Sequence, residues 1–572
     1  MQDPQYDLVI VGGGIAGLTA AARATELGVR PIVLEKEDQE VYPCNSRQSG
    51  GVIHIGFLDP YRQEGSLLQN LGDRTGGDHD PVLAEALIKN GRRFLDWLKS
   101  HNTDFISFNE EEGYRWCIAP PRALRAGIDW EGRGPDLLLR RLVSKIANDG
   151  GIFKRGIRAT ALIMEDGVCK GIKAVDGATE VKFKARNVLL ADGGFQFNRE
   201  LFEEFIGAEF SQVFQRGAKT GMGDGIKMAR AAGAKLSDMD KFYGHLLSAD
   251  AVGSDKLWPY PELDAIATAG IVIDKSGMRV ADEGQSGVYL TNALAKSNSA
   301  APFFIICDSL IWEGAGRSAR IPANPLLEEA GGTVYRSDTL DGLADMIDVP
   351  VNALSDCVKT YNNAIEANTT SELLIPRSQK ILPCRINTAP FLAIPTVPGI
   401  TYTMGGIVTN EKGQVMSNNN AVIPGLSAAG ATTGGLEGGG QAAYIGGLMK
   451  SGVFGMIAAE EVAIQIGKSD VDNYKKIDKE SRKKSKNIED YYAYAEKRGL
   501  ADFPILRFFV KHGIAVSFLL GFVALVLAVW LGEPLLGLKA IPLGVFFLFF
   551  VCIIGIVFTE LLRLIIKLLL PE

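Results

Sequence analysis

Apolar residues along this chain gather in short unbroken runs that close on glycine, and the first run sets the grammar. Tyr6–Val11 (YDLVIV) reads as a buried parallel strand and enters the turn Gly12-Gly13-Gly14-Ile15-Ala16-Gly17. Residues 15–27 follow with the character of a helix, and residues 31–34 form a second strand ending at Glu35 and Lys36. Helical spacing of apolar positions recurs over 80–100 and 137–148. Residues 151–184 instead read as short strands turning at 165–167 and 176–177, a β-meander inserted in the first domain. Residues 187–197 (NVLLADGGFQF) return the chain to the sheet on a strand that closes at Asp192-Gly193-Gly194, and a glycine loop at 221–225 precedes a helix with Asp224 near its start. From about 237 the pattern gives way to mixed, aromatic-rich sequence that includes Phe242, Tyr243, Trp258, Tyr260 and Tyr289. It resumes from 389, where Gly405-Gly406 and the run 421–426 lead to Ala428-Ala429-Gly430, a glycine-rich stretch at 434–441 and a helix over 449–466.

Strand, glycine turn, helix and acid in this register are expected to serve a dinucleotide, the alternative being a glycine-rich turn with no ligand. Gly12 permits the tight turn, Gly14 lets backbone approach a pyrophosphate, and Gly17 lets the helix pack on the sheet, while the helix N-terminus at Ile15 and Ala16 faces the anion. Glu35 is placed to accept hydrogen bonds from a ribose and disfavours a 2′-phosphate, so FAD or NAD is expected rather than NADP. The small residues of 44–51, among them Ser46, Ser49, Gly50 and Gly51, would let backbone lie against something flat; an ordinary glycine-rich loop is the alternative.

Length and composition narrow the class. The 572 residues allow two or three domains, and a net charge of −7 with lysine and arginine dispersed among acids offers no nucleic-acid surface. Seven cysteines (Cys44, Cys117, Cys169, Cys307, Cys357, Cys384 and Cys552) lack ligand-like spacing, so neither a metal site nor an iron–sulfur cluster is expected, and a reduced compartment is. No cleaved export signal is visible.

The C-terminal pattern is different in kind. Residues 513–531 and 541–559 are apolar and free of ionised side chains, each close to the ~20 residues that cross a bilayer. Lys497, Arg498, Arg507 and Lys511 precede the first run and Arg563 and Lys567 follow the second, whereas the connection carries Lys539 against Glu533. The charge asymmetry predicts a transmembrane hairpin with its ends, and the preceding domain, on the cytoplasmic side. A buried helical hairpin is the alternative.

Taken in order, the opening VGGGIAG, the SRQSGG loop, LLADGGFQFN, TGMGDGIKMARAAGA, GMRVADEG, TYTMGGI and IPGLSAAG resemble the FAD-dependent flavoproteins of the fumarate reductase and succinate dehydrogenase superfamily, nearest its tricarballylate and 3-ketosteroid dehydrogenase branches. The resemblance spans about 5–465. It implies an α/β fold with a Rossmann-like FAD-binding domain of glutathione-reductase type, built from 1–236 and 389–467, and an inserted α+β cap over 237–388. A charged linker over 468–511 and two transmembrane helices within 512–572 complete the expected organisation. It implies FAD rather than NAD, a mobile cap, and hydride exchange with a carbon next to an activating carbonyl. FAD contacts are expected from Gly12, Gly14, Ile15, Ala16, Gly17, Glu35, Lys36, Ser46, Ser49, Gly50, Gly51, Asp192, Gly193, Gly194, Asp224, Gly430, Gly447 and Leu448.

Departures from the family pattern bear on the substrate. Gly287 stands where fumarate reductases carry a proton-delivering arginine, Tyr402 replaces the histidine of H-T-M-G-G, and Glu437-Gly438 followed by Tyr444-Ile445-Gly446-Gly447 replaces H-G-x-N-R-x-G-G. Fumarate is therefore not the expected substrate. Removing hydrogen from a CH–CH unit needs a base, a donor to the enolate oxygen and the flavin. Tyr289, Tyr402 and Tyr444 are candidates for the first two roles, and for each a buried core tyrosine is the alternative. Arg279 would orient a carbonyl or carboxylate, or else pair with Asp282 or Glu283. None of the five histidines (His54, His79, His101, His245 and His512) lies in a motif that requires it, and His54, just past the flavin loop, is the one to watch. The reading is a membrane-anchored dehydrogenase or reductase acting on a small molecule and exchanging electrons with a quinone or redox partner. The rival is an electron-transfer or scaffold flavoprotein without substrate chemistry.

Overall fold

A computed structural model describes residues 6–107, 111–121, 130–319 and 321–468, together with Val545. The chain divides into two compact units, Met1–Phe105 with Asn109–Val471, and Ile106–Phe108 with Asp472–Glu572. The first unit carries both the dinucleotide sheet and the cap.

The opening run forms β1 (Tyr6–Val11), the glycine turn leads into α1 (Ile15–Glu26), and β2 (Pro31–Leu34) lies parallel to β1 with Val9 opposite Ile32. Beyond β2 the sheet adds Ile152–Lys154, and on the other flank Thr179–Leu190, Val422–Ala428 and the antiparallel Gln414–Met416. Leu8, Val9 and Ile10 are fully buried, the condition that makes a parallel strand read as one continuous apolar run. The predicted meander is present as Ile157–Glu165, Val168–Asp176 and Thr179–Leu190. Its last strand continues into the main sheet, so that residues 179–184 pair with the meander and 185–190 with β1. The strand expected within 187–197 and closing at Gly193-Gly194 is thus the end of the meander's last strand and stops at Leu190.

Helices seal the sheet where the apolar spacing places them. Pro81–Ser100 starts on Asp80, whose carboxylate accepts from the Val82 and Leu83 N–H groups at 2.8 and 3.1 Å. The helix Gly447–Gln465 lies at backbone distance from α1: a Cβ at Gly455 would collide with the Ala16 carbonyl, and one at Gly452 with the Phe94 ring. Its Glu460 accepts from buried Arg23 of α1 at 2.8 Å and also pairs with Arg93.

The cap has its own core and sheet. Phe242–Ser248, Phe391–Thr403, Phe303–Asp308 and Ile271–Ile273 pair in that order, with Tyr335–Ser337 and Phe214–Gln215 also on the long strand. The strand Phe391–Thr403 is thus the centre of the cap sheet, not the return of the dinucleotide sheet expected from 389, because its apolar face packs with Leu247, Phe303 and Ile305. The charged linker beyond 468 and the apolar runs 513–531 and 541–559 lie outside the described residues. Among the described residues no helix is long and apolar enough to cross a membrane.

Candidate active site

One cavity runs from the glycine turn to the cap sheet, and its first half is built from backbone. Gly12 has φ +103°, and a Cβ there would meet the Ala191 carbonyl and Asp192 Cα, so this position requires glycine. Gly17 does not line the cavity; a Cβ on it would collide with the Gly12 carbonyl, which is the packing role predicted for it. A Cβ on Gly14 would meet nothing closer than Ser46 Oγ at 3.4 Å. Ser46 Oγ itself accepts from the Ile15 N–H at 3.1 Å and so ties the 44–51 loop to the start of α1.

Glu35 is buried at the end of β2 and accepts from Gly13 N–H at 2.8 Å and Glu37 N–H at 3.0 Å. Burial raises its pKa, and these donors work against that rise. Lys36 donates to the Thr220 carbonyl. Asp192 accepts from Gly225 N–H at 2.7 Å through one oxygen, while the other is buried without a partner. Burial pushes its pKa up to about 6. Asp224 opens the helix Asp224–Ala231 and is held by Arg158 at 2.9 and 3.0 Å, so its carboxylate is an ion-pair partner and not a helix cap. Ser49, Gly50, Gly51, Gly193, Gly430, Gly447 and Leu448 line the same cavity, as do Ile15 and Ala16. Gly194 does not: a Cβ there would strike Thr403 Oγ1, which accepts from Phe195 N–H at 3.1 Å. Cys44 lines the wall as a free thiol, pushed up to about 11 by burial.

The cap end is lined by side chains. Asn45 donates to the Thr401 carbonyl at 2.8 Å and accepts from Ala218 N–H at 2.7 Å, stapling the cofactor loop to the long cap strand. The register shifts between Tyr243 and Gly244, which face Tyr402 and Ile400, and leaves Thr401 as the extra residue of a bulge. Tyr243 and Tyr402 are therefore direct cross-strand partners with ring centroids 5.4 Å apart. Tyr444 stacks on Tyr243 at 4.0 Å and meets His54 edge-on at 5.6 Å. Its hydroxyl accepts from the Gly447 N–H at 3.2 Å, and burial pushes its pKa well above that of an ordinary tyrosine.

Behind Tyr402 sits a buried ionic cluster. Glu437 accepts from Lys450 Nζ at 2.6 Å, from Tyr402 Oη at 3.0 Å and from Ile445 N–H at 3.2 Å, with Lys450 and Glu437 essentially inaccessible. On the cap side Arg216 pairs with Glu262, donates to Thr401 Oγ1 at 2.9 Å and lies over the Tyr260 ring. Tyr243 Oη lies 2.9 Å from His245 Nε2, and His245 Nδ1 lies 2.6 Å from Asp264. His54 is buried and accepts from Phe57 N–H through Nδ1 at 3.0 Å; burial lowers its pKa to about 3, so the ring stays neutral.

Two sequence candidates fall elsewhere. Arg279 is held by Glu283 and donates to the Ile375 carbonyl at 2.7 Å, so it is a cap ion pair and does not line the cavity. Tyr289 sits in the first turn of Gly287–Ala295, which Ser286 caps, and does not line the cavity either. Tyr402 and Tyr444 do. Sequence reasoning passed over Tyr243, His245, Asp264, Arg216, Glu262 and Lys450. Period-two alternation within FYGHLL, and a lone lysine in the apolar helix GLMKSGVFG, were the available signals.

A parallel sheet, a glycine turn opening onto a helix N-terminus, a buried acid at the end of the second strand and a cavity extending to a polar cap wall define a dinucleotide-dependent flavoprotein fold. The FAD binding domain family matches residues 7–443, and the chain belongs to that family. It is 28% identical over 541 residues to NADH:acrylate oxidoreductase of Vibrio harveyi, a match covering 80% of this chain and half of that enzyme. It is 27% identical to fumarate reductase (cytochrome) of Shewanella frigidimarina over 472 residues, covering 80% of this chain and 77% of the relative. The structure of 3-ketosteroid delta1-dehydrogenase from Sterolibacterium denitrificans aligns with TM-score 0.63 at 20% identity, over 80% of this chain and 99% of that one. The cofactor is FAD, and the residues fit it. Gly12, Gly14 and Ser46 leave room at the helix start, Glu35 retains acceptor capacity beside the turn, and the small residues 49–51 face the cavity.

Proposed function

We propose that this protein is a membrane-anchored FAD-dependent enzyme that dehydrogenates, or in reverse reduces, a carbon–carbon bond next to a carbonyl or carboxylate, exchanging electrons with a membrane carrier. The observation that carries the reading is the tyrosine wall at the cap end, where Tyr243, Tyr402 and Tyr444 converge on one cavity with the cofactor cradle. Bound FAD supplies the hydride acceptor or donor. Tyr444 is the donor to the carbonyl oxygen. The Gly447 N–H bond to its oxygen polarises the hydroxyl, and stacking on Tyr243 fixes its direction. Tyr402, anchored to Glu437 and Lys450, forms the rigid floor beside it.

The motif departures at Gly287, Tyr402 and Tyr444 support a substrate other than fumarate. Among the described residues, Arg216 and Lys450 are the arginine and lysine that line the cap end, and each is engaged by a carboxylate, Glu262 or Glu437. Relatives of this chain include NADH:acrylate oxidoreductase, fumarate reductase (cytochrome) and 3-oxosteroid 1-dehydrogenase, and an uncharged or singly charged conjugated carbonyl is the class proposed here.

Anaerobic mixing of the yellow holoenzyme with acrylate, fumarate, urocanate and 4-androstene-3,17-dione tests the chemistry, starting from oxidised and from dithionite-reduced protein. A change in flavin absorbance with at least one probe is expected; no change in either direction would refute substrate chemistry and favour the electron-transfer alternative. Anchoring rests on the two apolar runs. The full chain should need detergent for extraction, while a chain ending at about 498 should be soluble and flavin-loaded. Full-length protein in the soluble fraction without detergent would end the hairpin proposal.

A further inference from the structure

We propose that Tyr243, His245 and Asp264 form a proton relay serving the substrate carbon beside the carbonyl. Tyr243 touches the substrate, and His245 and Asp264 act behind it as positioning residues. The proposal rests on the carbon–carbon chemistry above. Alternation along Phe242–Ser248 puts residues 243 and 245 on one face, and both line the cavity. Tyr243 Oη lies 2.9 Å from His245 Nε2, and His245 Nδ1 lies 2.6 Å from Asp264 Oδ2. Asp264 Oδ1 accepts from Leu246 N–H at 2.8 Å, which fixes the carboxylate.

An ionised carboxylate only accepts, so the network assigns the imidazole proton to Nδ1 and leaves Nε2 to accept from the Tyr243 hydroxyl. Space for Asp264 is secured by Gly287: any Cβ there would collide with its carboxyl group. The groups facing the ring are Tyr243 on its own strand, Asp264 on Asp264–Ala269, and Glu262 before that helix at 3.7 Å, itself paired with Arg216. Tyr444 stacks on the far side of Tyr243. Burial holds the Tyr243 hydroxyl well above its ordinary pKa, which makes a free-standing phenolate costly. A neutral imidazole at hydrogen-bond distance removes the need for one.

In dehydrogenation the α C–H bond breaks and its proton joins Tyr243 Oη as the hydroxyl proton passes to His245 Nε2. The electron pair left on carbon forms the new double bond, and the β-hydrogen departs as hydride, for which FAD, when bound, would supply the two-electron acceptor. The imidazolium stands between Asp264 and Glu262, from which its proton reaches solvent. Reduction runs the same transfers backwards from the imidazolium. Tyr402 is unsuited to this role because its hydroxyl already donates into the Glu437–Lys450 cluster.

The test uses FAD-loaded full-length protein in detergent, labelled with 15N-histidine, which gives five residues to assign. Without substrate, Asp264→Asn should shift His245 away from the Nδ1–H tautomer and Tyr243→Phe should move its Nε2 resonance. If neither variant changes the His245 signals, the network and the proposal are overturned. The second arm uses whichever of acrylate, fumarate, urocanate or 4-androstene-3,17-dione reacts with the parent. Tyr243→Phe should slow flavin reduction by about 10²–10³-fold and His245→Gln by about 10²-fold, with FAD content unchanged. His245→Gln should also remove the acidic limb of the kcat/KM profile for dehydrogenation, and Asp264→Asn, read the same way, stands in if His245→Gln fails to load FAD. An unchanged pH profile in a flavin-loaded variant that turns over would overturn the relay while leaving the carbon–carbon chemistry intact. If no probe reacts with the parent, the function proposed above fails, and the histidine signals still decide whether the network exists.

Discussion

Lys450→Met tests whether the floor of the cap end is an ionic cluster that must be kept or removed as a unit. Lys450 and Glu437 are 2.6 Å apart with side chains 2% and 0% exposed, and Glu437 also receives Tyr402 and the Ile445 N–H. At an effective dielectric near 20 their attraction is about 6 kcal/mol, against a desolvation cost of several kcal/mol per ion. The pair is therefore near balance when complete. Removing Lys450 alone leaves a buried carboxylate with two neutral donors, and the expected loss is about 3–5 kcal/mol. Lys450→Met with Glu437→Leu removes both charges and leaves only the Tyr402 hydroxyl and one N–H wanting partners, so about half of that loss should return. Urea unfolding of the flavin-loaded protein, followed by tryptophan and flavin fluorescence, measures both. A single variant that loses under about 1 kcal/mol, or a double variant whose loss equals the sum of the singles, would refute the idea that the two charges are coupled.

Other outcomes follow from the same geometry. Tyr444→Phe removes one hydroxyl from a stacked ring, so FAD content should hold while stopped-flow flavin reduction slows by about 10²–10³-fold. Gly14→Val places branched methyls toward Ser46 and the cavity, and purified protein should be colourless yet folded by circular dichroism. Asp192, pushed from 3.8 up to about 6 by burial, favours folding fully below pH 3.8 and loses that contribution as pH rises through 6. Asp192→Asn should therefore stabilise the protein by roughly 2–3 kcal/mol at pH 8 relative to the parent and have little effect near pH 4, measured by urea midpoints at the two pH values.

The dinucleotide half was legible because its requirements are local. A tight turn at positive φ, a helix packed on that turn and an acid at the end of the second strand each leave a residue type at a fixed offset: Gly12 takes the turn, Gly17 lets the helix pack on it, and Glu35 stands beside the turn, accepting from the Gly13 N–H. The boundary at 389 was misread for a related reason. A 13-residue apolar strand looks the same in either sheet, and the partners of Phe391–Thr403 in the cap strands Phe303–Asp308 and Phe242–Ser248 lie from 83 residues upstream (Asp308 opposite Phe391) to 161 (Phe242 opposite Thr403). Arg279 was ambiguous because Glu283, four residues on, offered a partner that a sequence cannot rank against a substrate.

The cap end was less legible because its chemistry is built from pairs that no motif links. His245 has no motif around it and becomes a candidate only when Asp264, nineteen residues on, reaches one ring nitrogen and Tyr243 the other. Gly287 makes that meeting possible. Read alone it is a missing arginine, a loss of function; in the fold its absent side chain is the space that Asp264 fills. A carboxylate from a helix and a histidine from a strand meet beside that glycine, and the group they form ends on Tyr243 in the wall shared with Tyr402 and Tyr444. Gly287→Ala should therefore act like Asp264→Asn, through the relay and not through the flavin cradle, even though residue 287 does not line the cavity. The His245 nitrogen signals and the pH profile of flavin reduction measure this, and a Gly287→Ala protein that loads FAD with both unchanged would refute the dependence of the relay on Gly287.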